Sequence, residues 1–100
     1  MEQNTINSKK LLGSVTREER DEIKSLFERK NGLVELSKCL NDTNMHLYDK
    51  IVSDLGVAST QFNDWWTEKS NKYNWDNILG YQWEINFNTG EIFLVPVNNV

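Results

Sequence analysis

One cysteine, one histidine and one proline occur among the 100 residues, and each scarcity excludes a class of protein. Cys39 alone cannot close an internal disulfide, so this is not a disulfide-braced secreted scaffold. His46 alone has no second histidine, and Cys39 lies seven residues before it across an expected break between helices. A transition-metal site normally needs three or four such ligands, so no metal or other cofactor is expected. For the same reason Cys39 has only His46 as a potential histidine base, and with Leu36 and Leu40 as neighbours it reads as a small packed apolar side chain. The five glycines form no Gly-x-Gly spacing, and neither Gly13 nor Gly32 opens a phosphate-binding loop.

Basic residues are also short, 11 Lys and Arg against 15 Asp and Glu for a net charge of −4, with no basic cluster longer than Arg29-Lys30. Such a surface repels a nucleic-acid backbone, so nucleic acid is not an expected partner. From Tyr73 to Val100 the chain carries Asp76, Glu84 and Glu91 and no Lys or Arg. No stretch has the length and apolarity of a signal-peptide core or a membrane span, and the expectation is a soluble, cytoplasmic protein with no membrane partner.

What is present suffices for one core. Hydrophobic residues make up 38% of the chain and aromatics 11%, too much for a disordered polymer and right for a single domain of ordinary size. Residues 1–10 are polar apart from Ile6 and read as a flexible tail, 11–96 as the domain, and 97–100 as a second tail. Leu11, Leu12 and Val15 around Gly13 allow a short strand near 11–15.

Thr16-Arg17-Glu18-Glu19 is a capping box, in which hydroxyl and carboxylate each satisfy the other residue's amide, so a helix starts at Arg17. Glu18 and Glu22, with Glu19 and Asp21 nearby, form an acidic first turn that suits the helix dipole, with no apolar pocket to shift their titration. Ile23, Leu26 and Phe27 mark its apolar face, and Asn31-Gly32 reads as a stop. Leu33, Leu36 and Leu40 resume helical spacing to about Leu40, and Asn41-Asp42-Thr43-Asn44 reads as a turn. Leu47, Tyr48, Ile51, Val52 and Leu55 form the stripe of a third helix ending at Gly56. Phe62, Trp65, Trp66, Lys69 and Tyr73 form a fourth, capped by Ser59 and running to about Lys72.

The period then changes. Tyr81, Trp83, Ile85 and Phe87 alternate with Gln82, Glu84 and Asn86, a half-buried strand that returns through Glu91-Ile92-Phe93-Leu94-Val95 and is ended or held to an edge by Pro96. A three-residue loop at Asn88-Thr89-Gly90 places Trp83 and Ile85 with Phe93 and Val95. A two-residue loop places them with Ile92 and Leu94, but asks Thr89 for a positive φ that a β-branched residue resists. The first register is preferred. The fold expected is therefore α+β, about four short helices packed with a C-terminal antiparallel β-hairpin and a third short strand near 11–15.

Chemistry is sparse, and the aromatics carry what functional signal there is. Trp65 and Trp66 point about 100° apart on a helix and cannot both centre on one stripe. Core packing accounts for most of the aromatics, and an exposed remainder makes an anchor surface for a protein or peptide partner. Trp75, Tyr81, Trp83, Ile92 and Leu94 are the expected contact residues, with an extended peptide adding as a strand to an open hairpin edge.

The segments Gly13-Ser14-Val15-Thr16-Arg17-Glu18-Glu19, Leu26-Phe27-Glu28-Arg29-Lys30-Asn31-Gly32-Leu33, Leu47-Tyr48-Asp49-Lys50-Ile51-Val52, Trp65-Trp66, Trp83-Glu84-Ile85-Asn86-Phe87 and Glu91-Ile92-Phe93-Leu94-Val95 together resemble the small CXXX repeat peptide modification system proteins of anaerobic bacteria. The resemblance spans residues 11 to 95. It implies an accessory role in ribosomal peptide natural product biosynthesis, beside a radical-SAM maturase and a Cys-repeat precursor peptide, and it assigns no catalytic residue. With one cysteine and no CXXX repeat, this chain would be neither the modified peptide nor the maturase. The expected function is a non-catalytic protein that binds the precursor or its maturase. Two alternatives stand beside it: an immunity or inhibitor protein using an acidic aromatic surface against a basic partner, and an enzyme with a carboxylate-based site.

Overall fold

The computed structural model describes residues 9–40 and 45–97. The turn expected at Asn41–Asn44, most of the expected N-terminal tail and residues 98–100 lie outside the described residues. A strand β1 (Lys10–Ser14) leads into two long helices, α1 (Arg17–Cys39) and α2 (Met45–Tyr73), followed by β2 (Tyr81–Ile85) and β3 (Glu91–Pro96). The class is α+β, but two helices replace the expected four.

The capping box forms as the sequence dictates: the Glu19 amide donates to the Thr16 hydroxyl at 3.1 Å, and the Thr16 amide donates to Glu19 Oε1 at 2.9 Å. Neither expected stop holds. Gly32 lies inside α1 and Gly56 inside α2, and neither adopts the positive φ of a helix terminus. A glycine costs a helix interior only about 1 kcal/mol. Against that, Ile51, Ala58 and Trp65 stand seven residues apart and are all buried, a seam that a break at Gly56 would misalign. What ends α2 is Asn74, which takes the left-handed conformation (φ 56°) while the Trp75 amide reaches back to the Ser70 carbonyl at 3.0 Å. This six-to-one bond closes the helix and turns Trp75 into the core.

The three strands form one antiparallel sheet in the order β1-β3-β2. Trp83 stands opposite Leu94 and Ile85 opposite Ile92, so the preferred hairpin register is corrected. The connection has four residues, Phe87 to Gly90: the Asn86 amide donates to the Glu91 carbonyl at 2.9 Å, and the Gly90 amide to the Asn86 carbonyl at 2.7 Å. A four-residue loop has the same facing parity as a two-residue one, but only Gly90 is left-handed (φ 80°) and Thr89 is spared. A Cβ on Gly90 would also come within 3.3 Å of the Val15 carbonyl oxygen.

One sheet face packs on the helices through Val15, Ile23, Trp65, Trp75 and Ile92, with Leu12, Leu26, Phe62, Trp66, Tyr73, Trp83, Ile85 and Phe87 around them. On the other face the Lys9 ammonium sits 5.4 Å from the Phe93 ring centre and pairs with Glu84 at 2.9 Å. The molecule is elongated, 57 × 34 × 23 Å, because the helical hairpin runs on past the sheet. Among the described residues, none from Glu28 to Gln61 belongs to this core.

Candidate functional site

The five expected contact residues divide sharply. Ile92 (0% exposed), Leu94 (2%) and Trp75 (9%) are buried, so a surface built on them is corrected: β3 is the central strand, and Trp75 is drawn in by the turn at Asn74. Tyr81 is 43% exposed and Trp83 half-buried, and both lie on β2 at the sheet's edge.

All four tryptophans belong to one cluster. Trp65 and Trp66 meet edge to face at 4.9 Å, and Trp75 lies 6.5 and 6.1 Å from them. Trp66 stacks on Trp83 at 6.2 Å with 16° between the planes. The adjacent pair is thereby split as its spacing on a helix requires, Trp65 into the core and Trp66 to its margin. The Trp83 indole is fixed by donating to the Asp76 carbonyl at 2.8 Å. Beside it Phe62, Asn63, Trp66, Thr67 and Trp83 line an open recess of about 350 Å3, bounded by uncharged side chains.

The recess adjoins unpaired backbone. Asn86 pairs with Glu91 and Gly80 with Val97 (2.8 Å), so Gln82 and Glu84 also direct their amides and carbonyls to β3. Tyr81, Trp83 and Ile85 then direct theirs outward. The Tyr81 amide is taken by the Ile78 carbonyl at 3.0 Å, leaving those of Trp83 and Ile85 at the edge. The two edges of the sheet differ. β1 is interrupted by an irregularity between Leu11 and Gly13 and carries Lys10, both of which discourage strand addition. β2 has no bulge, no proline and no lysine.

A second polar arrangement joins the helix ends. Glu19, 8% exposed, accepts from Lys72 Nζ and Tyr73 Oη, each at 2.5 Å, as well as from the Thr16 amide. Burial alone would raise its pKa, but the hydrogen bonds from Lys72, Tyr73 and Thr16 outweigh it and hold the carboxyl at about 2. The hydrogen bond to Glu19 raises the pKa of Lys72 and, with burial, that of Tyr73. An unshifted acidic turn was expected here; Glu19 departs from it because partners 53 and 54 residues away close over it. The carboxylate is thus stabilised in its charged form, an anchor between helices.

Cys39 is exposed at the end of α1, not packed as its neighbours suggested, and His46 is exposed in the first turn of α2. Among the described residues no group of three His, Cys, Asp or Glu side chains could hold a metal ion, and no helix is long and apolar enough to cross a membrane.

Of these two arrangements, the recess beside β2 is open to a ligand, whereas the carboxylate of Glu19 is closed over by Lys72 and Tyr73. Compared with known proteins, the chain matches no family model, no curated protein and no solved structure.

Proposed function

We propose that the protein is a non-catalytic binding module that takes an extended peptide segment as a fourth strand against β2. The observation that carries the reading is the juxtaposition of outward-facing Trp83 and Ile85 main-chain groups with the uncharged recess of Phe62, Trp66 and Trp83. Main-chain bonds to the edge supply affinity regardless of sequence, and the recess selects an apolar or aromatic side chain at alternate positions of the incoming strand. With the resemblance to CXXX repeat peptide modification proteins, the strand is assigned to a Cys-repeat precursor peptide or a segment of its maturase.

The acidic-surface alternative has less support, because two of the three C-terminal acids already meet lysines: Asp76 pairs with Lys10 at 3.0 Å and Glu84 with Lys9 at 2.9 Å. A carboxylate-based enzyme finds no support in Glu19, whose proton is held too loosely for acid catalysis near neutral pH.

Calorimetric titration with a synthetic precursor peptide tests the proposal. Binding at micromolar concentrations is expected, little affected by salt and weakened about tenfold or more by Thr67→Glu, which places a charge at the rim of the recess without touching the core. Absence of binding by both precursor and maturase sinks it.

A further inference from the structure

Lys30 is a cation without a counter-ion beside the recess. Among the described residues, Lys9, Lys10, Lys38, Lys50, Lys69 and Lys72 each meet a carboxylate, whereas Lys24 and Lys30 pair with none. Lys24 stands in solvent. Lys30 is half-buried, its ammonium 4.7 Å from the centre of the Phe62 ring. Its own helix offers no carboxylate, because Leu26, Phe27, Leu33 and Val34 occupy the positions three and four residues to either side. Phe62 in turn is a wall of the uncharged recess next to β2.

The rings lie in a fixed order along the strand. Trp66 stacks on Trp83, and its ring centre is 6.4 Å from that of Phe62. Phe62 lies toward the β2–β3 connection, where Phe27 bridges it to Phe87 at 6.2 and 5.1 Å. A strand added to β2 places the residues that pair with Trp83 and Ile85 on the face of these rings, two residues and about 7 Å apart. That spacing matches the step from Trp66 to Phe62. We infer that the peptide taken by β2 carries an Asp or Glu two residues before its apolar anchor, and that Lys30 is the group that reads it. The anchor stands opposite Trp83, in the recess, and the carboxylate opposite Ile85, over Phe62. Antiparallel addition, the more stable pairing, runs the incoming strand from Ile85 toward Tyr81, so the acidic residue comes first. The inference rests on the strand reading of β2 and names the chemistry of its ligand.

Charge around the edge agrees, although the chain as a whole is acidic. Glu84 and Asp76 are held by Lys9 and Lys10, and Glu22, Asp64 and Glu68 line a separate groove between the helices. An incoming carboxylate therefore meets the Lys30 ammonium, set against an aromatic ring and partly out of water, where attraction is stronger than in bulk solvent. If Lys30 served only to cover Phe62, the charge of the ligand would make no difference.

Calorimetric titration of the full chain with three synthetic threonine-rich peptides tests it, their centres being Glu-Thr-Phe, Gln-Thr-Phe and Lys-Thr-Phe. The first should bind about fivefold more tightly than the second, and the third most weakly. Lys30→Gln should abolish the preference and Lys30→Glu reverse it, with circular dichroism unchanged in both. Equal binding of the three peptides, or a preference that survives in Lys30→Gln, overturns the inference and leaves strand addition standing. Binding of none overturns both.

Discussion

Glu19 and Tyr73, 54 residues apart, are joined by a hydrogen bond from the phenol to the carboxylate, tying the start of α1 to the end of α2. The same carboxylate caps α1 through the Thr16 amide and receives the Lys72 ammonium, so one buried side chain fixes the base of the helical hairpin on which the sheet rests. Removing one partner of such a cluster leaves the others unsatisfied, which costs more than the bond itself contributes.

Stability should therefore depend on acid in a defined window. The folded carboxyl titrates at about 2 and the unfolded one near 4.5, so the contribution is complete above the unfolded value and is lost as pH falls toward 2. Because Lys72 is half exposed, solvent screens part of it, leaving about 1–3 kcal/mol at neutral pH. Unfolding free energies of wild type and Glu19→Gln from urea titration should differ by that amount at pH 7 and converge near pH 2. A pH-independent difference would contradict the assignment.

The interior glycines offer stability that the fold does not use. Gly32 and Gly56 sit in regular helix with open space where a Cβ would go, so Gly32→Ala and Gly56→Ala should each stabilise by about 0.5–1 kcal/mol. Gly90→Ala should do the opposite, since its φ of 80° and the Val15 carbonyl 3.3 Å from the added carbon both oppose it. Thermal midpoints of the three variants check the signs.

In the free protein, amide exchange along β2 should alternate. Gln82 and Glu84 donate into the sheet and should be protected, while Trp83 and Ile85 face the open edge and should exchange quickly. Equal protection of all four would mean that the edge is already covered.

Local signals were legible in the sequence and distant ones were not. The Thr16–Glu19 capping box and the alternation from Tyr81 to Phe87 are set within a few residues; the first appears where the sequence puts it, and the second holds as strand as far as Ile85, with Phe87 falling in the connection. Gly32 and Gly56 misled because a helix interior tolerates glycine when its seam continues, and that seam exists only once α1 and α2 have paired. The hairpin register turned on Thr89: avoiding its positive φ was correct, but a longer loop avoids it too. Asn74 carried a usable signal, an asparagine after a lysine-tyrosine helix end, which would have sent Trp75 inward. The same pairing that hides Glu19 could not be read from its neighbours. Of the expected contact set, Tyr81 and Trp83 lie at the edge while Ile92 and Leu94 belong to the strand behind it, a distinction that depends on β1 completing the sheet.

The central claim is that β2 accepts a strand, and amide chemical shifts and exchange under titration with a Cys-repeat precursor peptide test it most directly. The account predicts that the Trp83 and Ile85 amides become protected and that the Trp83 and Trp66 indole signals shift with them. Binding that leaves those two amides exchanging freely, or that perturbs β1 instead, would contradict it.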